Sequence, residues 1–172
     1  MTSIEKVQAE YETFTAEFES AILATLGADG RPHASYAPFV MDEAKNIYIY
    51  VSGLAAHANN LLTNPRVSVF FAEDEAKTQQ IFARRRLNYE CVATLIDRGT
   101  PLWEAILDRF QNRFGQTVEL LRDLTDFRLF RLTPTEGRFV IGFGSAYRLE
   151  GDNLERLIPV GGKSGSENTE EG

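Results

Sequence analysis

Cysteine, histidine and long apolar runs are scarce in this 172-residue sequence, which contains one cysteine and two histidines. A single cysteine excludes a disulfide within the chain, so we expect Cys91 to be a small buried apolar residue. One cysteine and two histidines also argue against a zinc site, and no metal site is predicted. No run approaches the roughly 18 apolar residues that cross a bilayer, and no basic stretch precedes an apolar one at the N terminus. These absences predict a cytoplasmic protein without a membrane partner.

Basic residues are also fewer than acidic ones. The sequence contains 18 Lys and Arg and 25 Asp and Glu, which gives a net charge of -7. Nucleic acids and anionic membranes are bound through clustered basic side chains, so the sequence predicts no nucleic-acid partner. The segment ARRRL at 83–87 is a local exception. The length and the apolar content of 43% are those of a single globular domain with a substantial core.

Helical periodicity appears in three segments. Over residues 3–19, apolar residues recur at every third or fourth position and predict an amphipathic helix that buries Ile4, Val7, Tyr11, Phe14 and Phe18. A second helix is predicted over 100–115, because Thr100 is a good N-cap and Gly115 suits the position just past the end. Pro101 fits its first turn. Its expected buried stripe is Leu102, Ile106, Phe110 and Phe114, and a further helix is expected over 117–124.

Strand patterns occupy most of the remaining sequence. Residues 21–41 predict two strands joined at Asp29-Gly30, a dipeptide typical of tight hairpins. Further strands are predicted over 46–52, 67–71, 87–96 and 126–151, the last interrupted by a turn at Thr-Pro-Thr-Glu-Gly (133–137). Because strands and helices do not alternate, we predict a β-rich α+β fold, a small antiparallel barrel with flanking helices, in one domain over 1–160. The small, polar and acidic segment 161–172 is predicted to be disordered.

Three segments together resemble a known family, namely ATLGADGRPHASYAPF (24–39), YVSGLAAHANNLLTNPRVSVFF (50–71) and ARRRLNYECVATLI (83–96). The chain is similar to the FMN-binding split-barrel superfamily, which includes the pyridoxamine 5'-phosphate oxidases, and resembles its haem-utilisation (HugZ-type) branch most. The resemblance covers about residues 15–150. It implies a six-stranded antiparallel split β-barrel that forms a homodimer, with a cofactor groove at the interface between the two chains.

The junction SGLAAHANN (52–60) carries the predicted cofactor site. Ser52 and Gly53 allow the backbone to approach a ligand closely, and the amides at a helix N terminus attract anions. His57 stands where many family members place a basic residue that binds the flavin phosphate, and beside a phosphate it would gain positive charge. The candidate residues for FMN are Ala34, Ser35, Tyr36 and Ala37 along the ring, Ser52, Gly53, His57 and Asn60 around the phosphate, and Arg84 and Arg86 on one strand face.

The haem-utilisation branch implies a different ligand. Its haem-degrading members use a histidine near the C terminus to ligate iron, whereas the segment RLIPVGGKSGSENTEEG (156–172) has none. We therefore rank FMN first and predict a flavoprotein related to pyridoxamine 5'-phosphate oxidase, an oxidoreductase with a small-molecule redox substrate. The first alternative is a haem-binding or haem-degrading protein whose haem site includes Thr25, His57 and Asp126. The second alternative is a non-enzymatic split-barrel dimer that acts through protein contacts.

Overall fold

One antiparallel sheet dominates the computed structural model, which describes residues 3–161. The strands of this part are β1 (Ser20–Leu26), β2 (Pro32–Met41), β3 (Ile47–Ser52), β4 (Arg66–Ala72), β5 (Arg86–Ile96), β6 (Phe127–Gly142), β7 (Ser145–Glu150) and β8 (Arg156–Pro159). The α-helices are α1 (Ser3–Phe14), α2 (Ala56–Thr63), α3 (Pro101–Phe114) and α4 (Gln116–Arg122). Short 3-10 turns cover Thr15–Glu17, Glu75–Lys77 and Ile81–Ala83.

The sheet closes on itself because β3 pairs with β6. The strand order is β3-β2-β1-β4-β5-β6-β7-β8, and the additional antiparallel pairing runs from Ile47 opposite Leu132 to Ser52 opposite Phe127. Six strands therefore form a closed antiparallel barrel, and β7 and β8 continue the sheet from the far half of β6. The predicted six-stranded split barrel with flanking helices is confirmed.

Strand β6 runs straight through the segment 133–137 in which the sequence predicts a turn. That prediction is wrong: Cys91 pairs with Pro134 and Glu90 with Glu136, so Thr135 is an extra residue in a β-bulge. Proline is tolerated at bulges, where the ladder of hydrogen bonds is already interrupted. The bulge lies between the part of β6 that pairs with β3 and the part that pairs with β7. One long strand thus serves both the barrel and the outer hairpin.

Two apolar clusters stabilise the fold. The barrel interior is filled by alternate residues of each strand, among them Leu23, Val69, Leu87 and Phe139. Outside the barrel, α3 packs on β3, which is why β3 is buried on both faces. The predicted stripe of α3 is confirmed at Ile106 and Phe110, and Phe114 packs against the same cluster. Leu102 is wrong, since it is 38% exposed and Trp103 and Leu107 are buried instead. The indole of Trp103 packs edge-on against Tyr50.

Helix α1 closes one end of the barrel through a pair of buried tyrosines. The hydroxyls of Tyr11 and Tyr89 lie 2.7 Å apart, and Tyr11 Oη donates to the carbonyl oxygen of Leu154 at 2.8 Å. The α-helix ends at Phe14 rather than at residue 19, and a 3-10 turn follows. Ile4, which the periodicity assigns to the buried face, is exposed, and the buried face of α1 consists of Val7, Tyr11 and Phe14.

Among the helices of residues 3–161, none has the length and apolar character needed to cross a membrane. The predicted disordered segment 161–172 lies, apart from Gly161, outside the described residues. The domain boundary at residue 160 stays a prediction.

The tyrosine pair predicts an alkaline dependence of stability. Burial raises the pKa of Tyr11 to about 12, whereas a tyrosine of the unfolded chain ionises near pH 10. Between these two values the folded protein keeps a proton that the unfolded chain has lost, so the free energy of unfolding falls as the pH rises. Tyr11→Phe should make this fall shallower, and should cost about 1 kcal/mol at neutral pH through the lost hydrogen bonds.

Urea unfolding at several pH values between 9 and 12 measures this effect. The control is Tyr147→Phe, at a half-buried position of the outer strand β7, which should leave the pH dependence as it is in the unmodified protein. An identical alkaline slope in Tyr11→Phe and the unmodified protein would contradict the assignment.

Candidate functional site

The candidate site lies at the end of the barrel that α2 covers. Antiparallel pairing brings the ends of β1 and β3 to the same level as the starts of β2, β4 and β6: Thr25 pairs with His33 and with Val67, and Ser52 pairs with Phe127. Helix α2 follows β3 after a short loop and packs Ala58 and Leu61 into the structure. Polar residues from four elements meet here.

His57 and Ser35 form the first contact of the site. Nδ1 of His57 lies 2.9 Å from Oγ of Ser35. Ser35 reaches the helix because it pairs with the buried Leu23 and therefore shares the inward face of β2 at this end. Burial, followed by the nearby His33, lowers the pKa of His57 below its usual range. The sequence predicts a positively charged His57 beside a phosphate, whereas the surroundings of His57 in the structure favour the neutral imidazole.

Thr25 and Asn60 form the second contact. Thr25 is 1% exposed, so its hydroxyl is buried in the barrel end. Its hydroxyl accepts a hydrogen bond from Nδ2 of Asn60 at 3.0 Å. Asn60 is three positions beyond His57 and so lies one turn further along the same helix. This bond, together with the buried Ala58 and Leu61, holds α2 at a fixed position on the barrel end.

Asp126 forms the third contact, with the loop before α2. Its carboxylate accepts a hydrogen bond from Ser52 Oγ at 3.2 Å, and its carbonyl oxygen accepts one from the Gly53 amide at 2.8 Å. Ser52 Oγ also accepts from the amide of Leu54. A side chain at residue 53 would collide with the Asp126 carbonyl, so the turn before β6 requires glycine at this position.

Charges of both signs lie near the start of α2. No side chain caps this helix start, which leaves amides available to an anion. The Asp126 carboxylate places negative charge beside the preceding loop, through Ser52, and the exposed Arg128 places positive charge beside Gly53. Burial favours the neutral form of His57. The charges at this junction therefore do not by themselves select a phosphate.

The predicted ring-lining segment divides between the two faces of β2. Ala34 and Tyr36 point outward and are exposed, as the alternation of a strand requires. Ala37 is buried in the barrel core, so its side chain is not available to a cofactor on the outer face. Ser35 faces α2, as described above. These four neighbours therefore do not form one lining.

Arg84 and Arg86 lie at the other end of the barrel. Arg86 pairs with Ala72 at the end of β4, whereas Thr25 pairs with Val67 near its start, about 16 Å away along the strand. Arg84 donates to the Glu73 carbonyl and pairs with Glu75, and Arg86 donates to the Arg84 carbonyl. The structure does not bring these two arginines into the cluster at α2.

Sequence reasoning missed the role of the residue between these two arginines. Arg85 forms ion pairs with Glu10, Glu17 and Glu73 and lies over the Phe14 ring. It therefore ties helix α1 to the barrel. Arg85 precedes the first residue of β5, so strand periodicity in the sequence carried no signal for this role.

Comparison with known proteins places the fold in a family. A closed six-stranded antiparallel barrel with an outer hairpin defines a split-barrel protein. Residues 7–141 match the family model described as pyridoxamine 5'-phosphate oxidase. The chain is also 42% identical to haem oxygenase HutZ of Vibrio cholerae over 153 residues, which cover 89% of this chain and 86% of HutZ. This chain belongs to the pyridoxamine 5'-phosphate oxidase family.

Two solved structures agree with this result. A crystal structure of HutZ, described as the haem storage protein of Vibrio cholerae, superposes with a TM-score of 0.74 and 39% identity, over 78% of this chain and 96% of that one. The crystal structure of Campylobacter jejuni ChuZ superposes with a TM-score of 0.82 and 36% identity, over 94% of this chain. This chain spans 65% of the ChuZ chain.

The comparisons overturn the function ranked first from the sequence. The prediction of an FMN-dependent oxidoreductase is wrong, because the relatives with 36–42% identity include proteins named as a haem oxygenase and a haem storage protein. The error came from giving the missing C-terminal histidine more weight than the resemblance to the haem branch. FMN is suggested only by membership of the wider family.

The Thr25–Asn60 bond predicts a measurable contribution to stability. Thr25→Val keeps the shape but removes the hydroxyl, and Nδ2 of Asn60 then loses its partner. We expect the free energy of unfolding to fall by about 1–3 kcal/mol. Urea unfolding measures the change, and Thr94→Val, at an exposed position of β5, is the matched control with a change within about 0.5 kcal/mol. Equal stability of Thr25→Val and the unmodified protein would contradict the role of this bond.

Proposed function

We propose that this protein binds haem and takes part in its oxidative degradation. The observation that carries the proposal is the 42% identity to haem oxygenase HutZ over 89% of the chain. Haem is then the substrate: O₂ oxidises the porphyrin ring, and an external reductant supplies the electrons. The HutZ structure described as a haem storage protein makes storage the other outcome of the test below.

The residue types at the α2 end of the barrel are those that haem requires. A half-buried imidazole is a common iron ligand. Leu54, in the loop before α2, is 87% exposed and offers apolar surface to a porphyrin. The exposed Arg128 lies beside Gly53, and a guanidinium suits the carboxylates of haem propionates. Thr25, His57 and Asp126, which the resemblance assigns to haem, all lie at this end.

In the proposed reaction, the side chains at the α2 end of the barrel bind and position haem, and they do not react with it. Asn60 and Thr25 hold helix α2, and the helix holds His57 at the mouth of the barrel. Asp126, bonded to Ser52, keeps a carboxylate within this polar cluster. A carboxylate of this kind can order the water that delivers protons during the reduction of O₂. We assign it that role in the proposed reaction.

A homodimer is part of the proposal. Tyr36, Ile22 and Phe70 lie side by side on the outer face of three neighbouring strands. Tyr36 and Ile22 are exposed, and a contiguous apolar patch favours burial against a partner. A second copy is the partner that the resemblance implies.

A cytoplasmic location also stays a prediction.

Haem and FMN titrations of the purified full chain test the function. We expect haem to give a saturable Soret shift, FMN to give none, and the Soret band to disappear when a reductant and O₂ are added. A Soret band that persists under those conditions indicates storage instead of degradation. Binding of FMN without haem would contradict the proposal, and binding of neither would favour a non-enzymatic role.

Sedimentation equilibrium tests the dimer. Ile22→Glu places a charge in the centre of the proposed interface, so we expect the mass to fall from that of a dimer to that of a monomer. Ile4→Glu is the control, because Ile4 has similar exposure but lies on α1. A dimer that survives Ile22→Glu would move the interface elsewhere.

A further inference from the structure

The scarcity of histidine limits how this sequence can ligate haem iron. The sequence contains two histidines, His33 and His57, so any iron–histidine bond that it supplies involves one of them. His33 lies on β2 and is exposed, whereas His57 lies on α2 and is half-buried. Both belong to the same end of the barrel, and His57 is the one whose ring is fixed by a neighbour.

Helix α2 gives His57 a rigid support. Ala58, the next residue, is fully buried, and Leu61 is buried one turn further along. Asn60 ties the same turn to the hydroxyl of Thr25 in the barrel. A metal ligand needs this type of support, because a small displacement of the nitrogen weakens the bond.

The ring of His57 has one nitrogen engaged and one left for another partner. Nδ1 lies 2.9 Å from Ser35 Oγ, and the pairing of Ser35 with Leu23 fixes the serine within the sheet. A histidine that binds a metal usually donates its other ring N–H to an oxygen, which sets the tautomer and the orientation of the ring. The Ser35 hydroxyl is in the position to accept that bond.

We propose that Nε2 of His57 ligates the haem iron and that Ser35 is its positioning residue, accepting the Nδ1–H. This inference rests on the proposed haem function and names the residues that perform it. Helix α2 then supplies the iron ligand.

Resonance Raman spectroscopy of the ferrous haem complex tests the ligand. The full chain should show an iron–histidine stretching band, which His57→Ala abolishes and which added imidazole restores in that variant. His33→Ala is the matched control and should keep the band. A band that persists in His57→Ala, or that only His33→Ala removes, would overturn the assignment.

Substitutions of Ser35 test the positioning role. Ser35→Ala should keep the histidine ligand but move the stretching band to lower frequency, because Nδ1–H loses its acceptor, and should weaken haem binding by about 10- to 100-fold. Ser35→Thr retains a hydroxyl and should restore both properties. Unchanged frequency and affinity in Ser35→Ala would exclude the role of Ser35. Recovery of both properties in Ser35→Thr would show that the hydroxyl itself is needed.

The same experiments separate the two levels of the proposal. If the unmodified protein binds haem but shows no iron–histidine band, the ligand assignment fails and the haem function stands. If the unmodified protein does not bind haem, both fail. Thermal unfolding of each variant, monitored by circular dichroism, identifies any variant that has lost its fold, and imidazole rescue of His57→Ala shows that the haem pocket is intact.

Discussion

The pairing of β3 with β6 is the constraint on which the rest of the structure depends. It converts an open sheet into a barrel, and it joins segments that lie some eighty residues apart in the chain. At one end of this pairing, Ser52 meets Phe127, which places Asp126 against Ser52 and Gly53. The loop into α2 therefore starts from a fixed point, and the helix carries His57 to the mouth of the barrel. Without closure, neither the core nor the polar cluster would form.

Local signals in the sequence identify most of the elements. Thr100 caps α3 with its hydroxyl, and Gly115 after it adopts a positive φ, as the sequence predicts. The path of β6 could not be predicted in the same way. Thr-Pro-Thr-Glu-Gly contains residues that favour turns, but its pairing with β5 imposes an extended bulge. Local preference is weak evidence where neighbouring strands determine the conformation.

In the candidate site, too, individual residues could be predicted from the sequence, whereas the contacts between them could not. The family resemblance points to Thr25, Ser35, His57 and Asn60 individually, but not to the pairs they form. Ser35 and His57 are 22 residues apart, and Thr25 and Asn60 are 35 apart. These distances in the chain are bridged only by strand register and by the packing of α2, which no local pattern encodes. The contact of Asp126 with Ser52 has the same origin, because it joins residues 74 positions apart in the chain.

The contact between Tyr11 and Leu154 has a consequence for synthesis of the protein. The two residues are 143 positions apart, and the apolar face of α1 has its partners on strands that follow much later. During translation, the first helix leaves the ribosome well before residues 127–154 exist to cover it. Its apolar face stays without these partners until they have been synthesised, and the barrel cannot close before β6 exists. Apolar surface exposed in this way is prone to non-native association in the nascent chain.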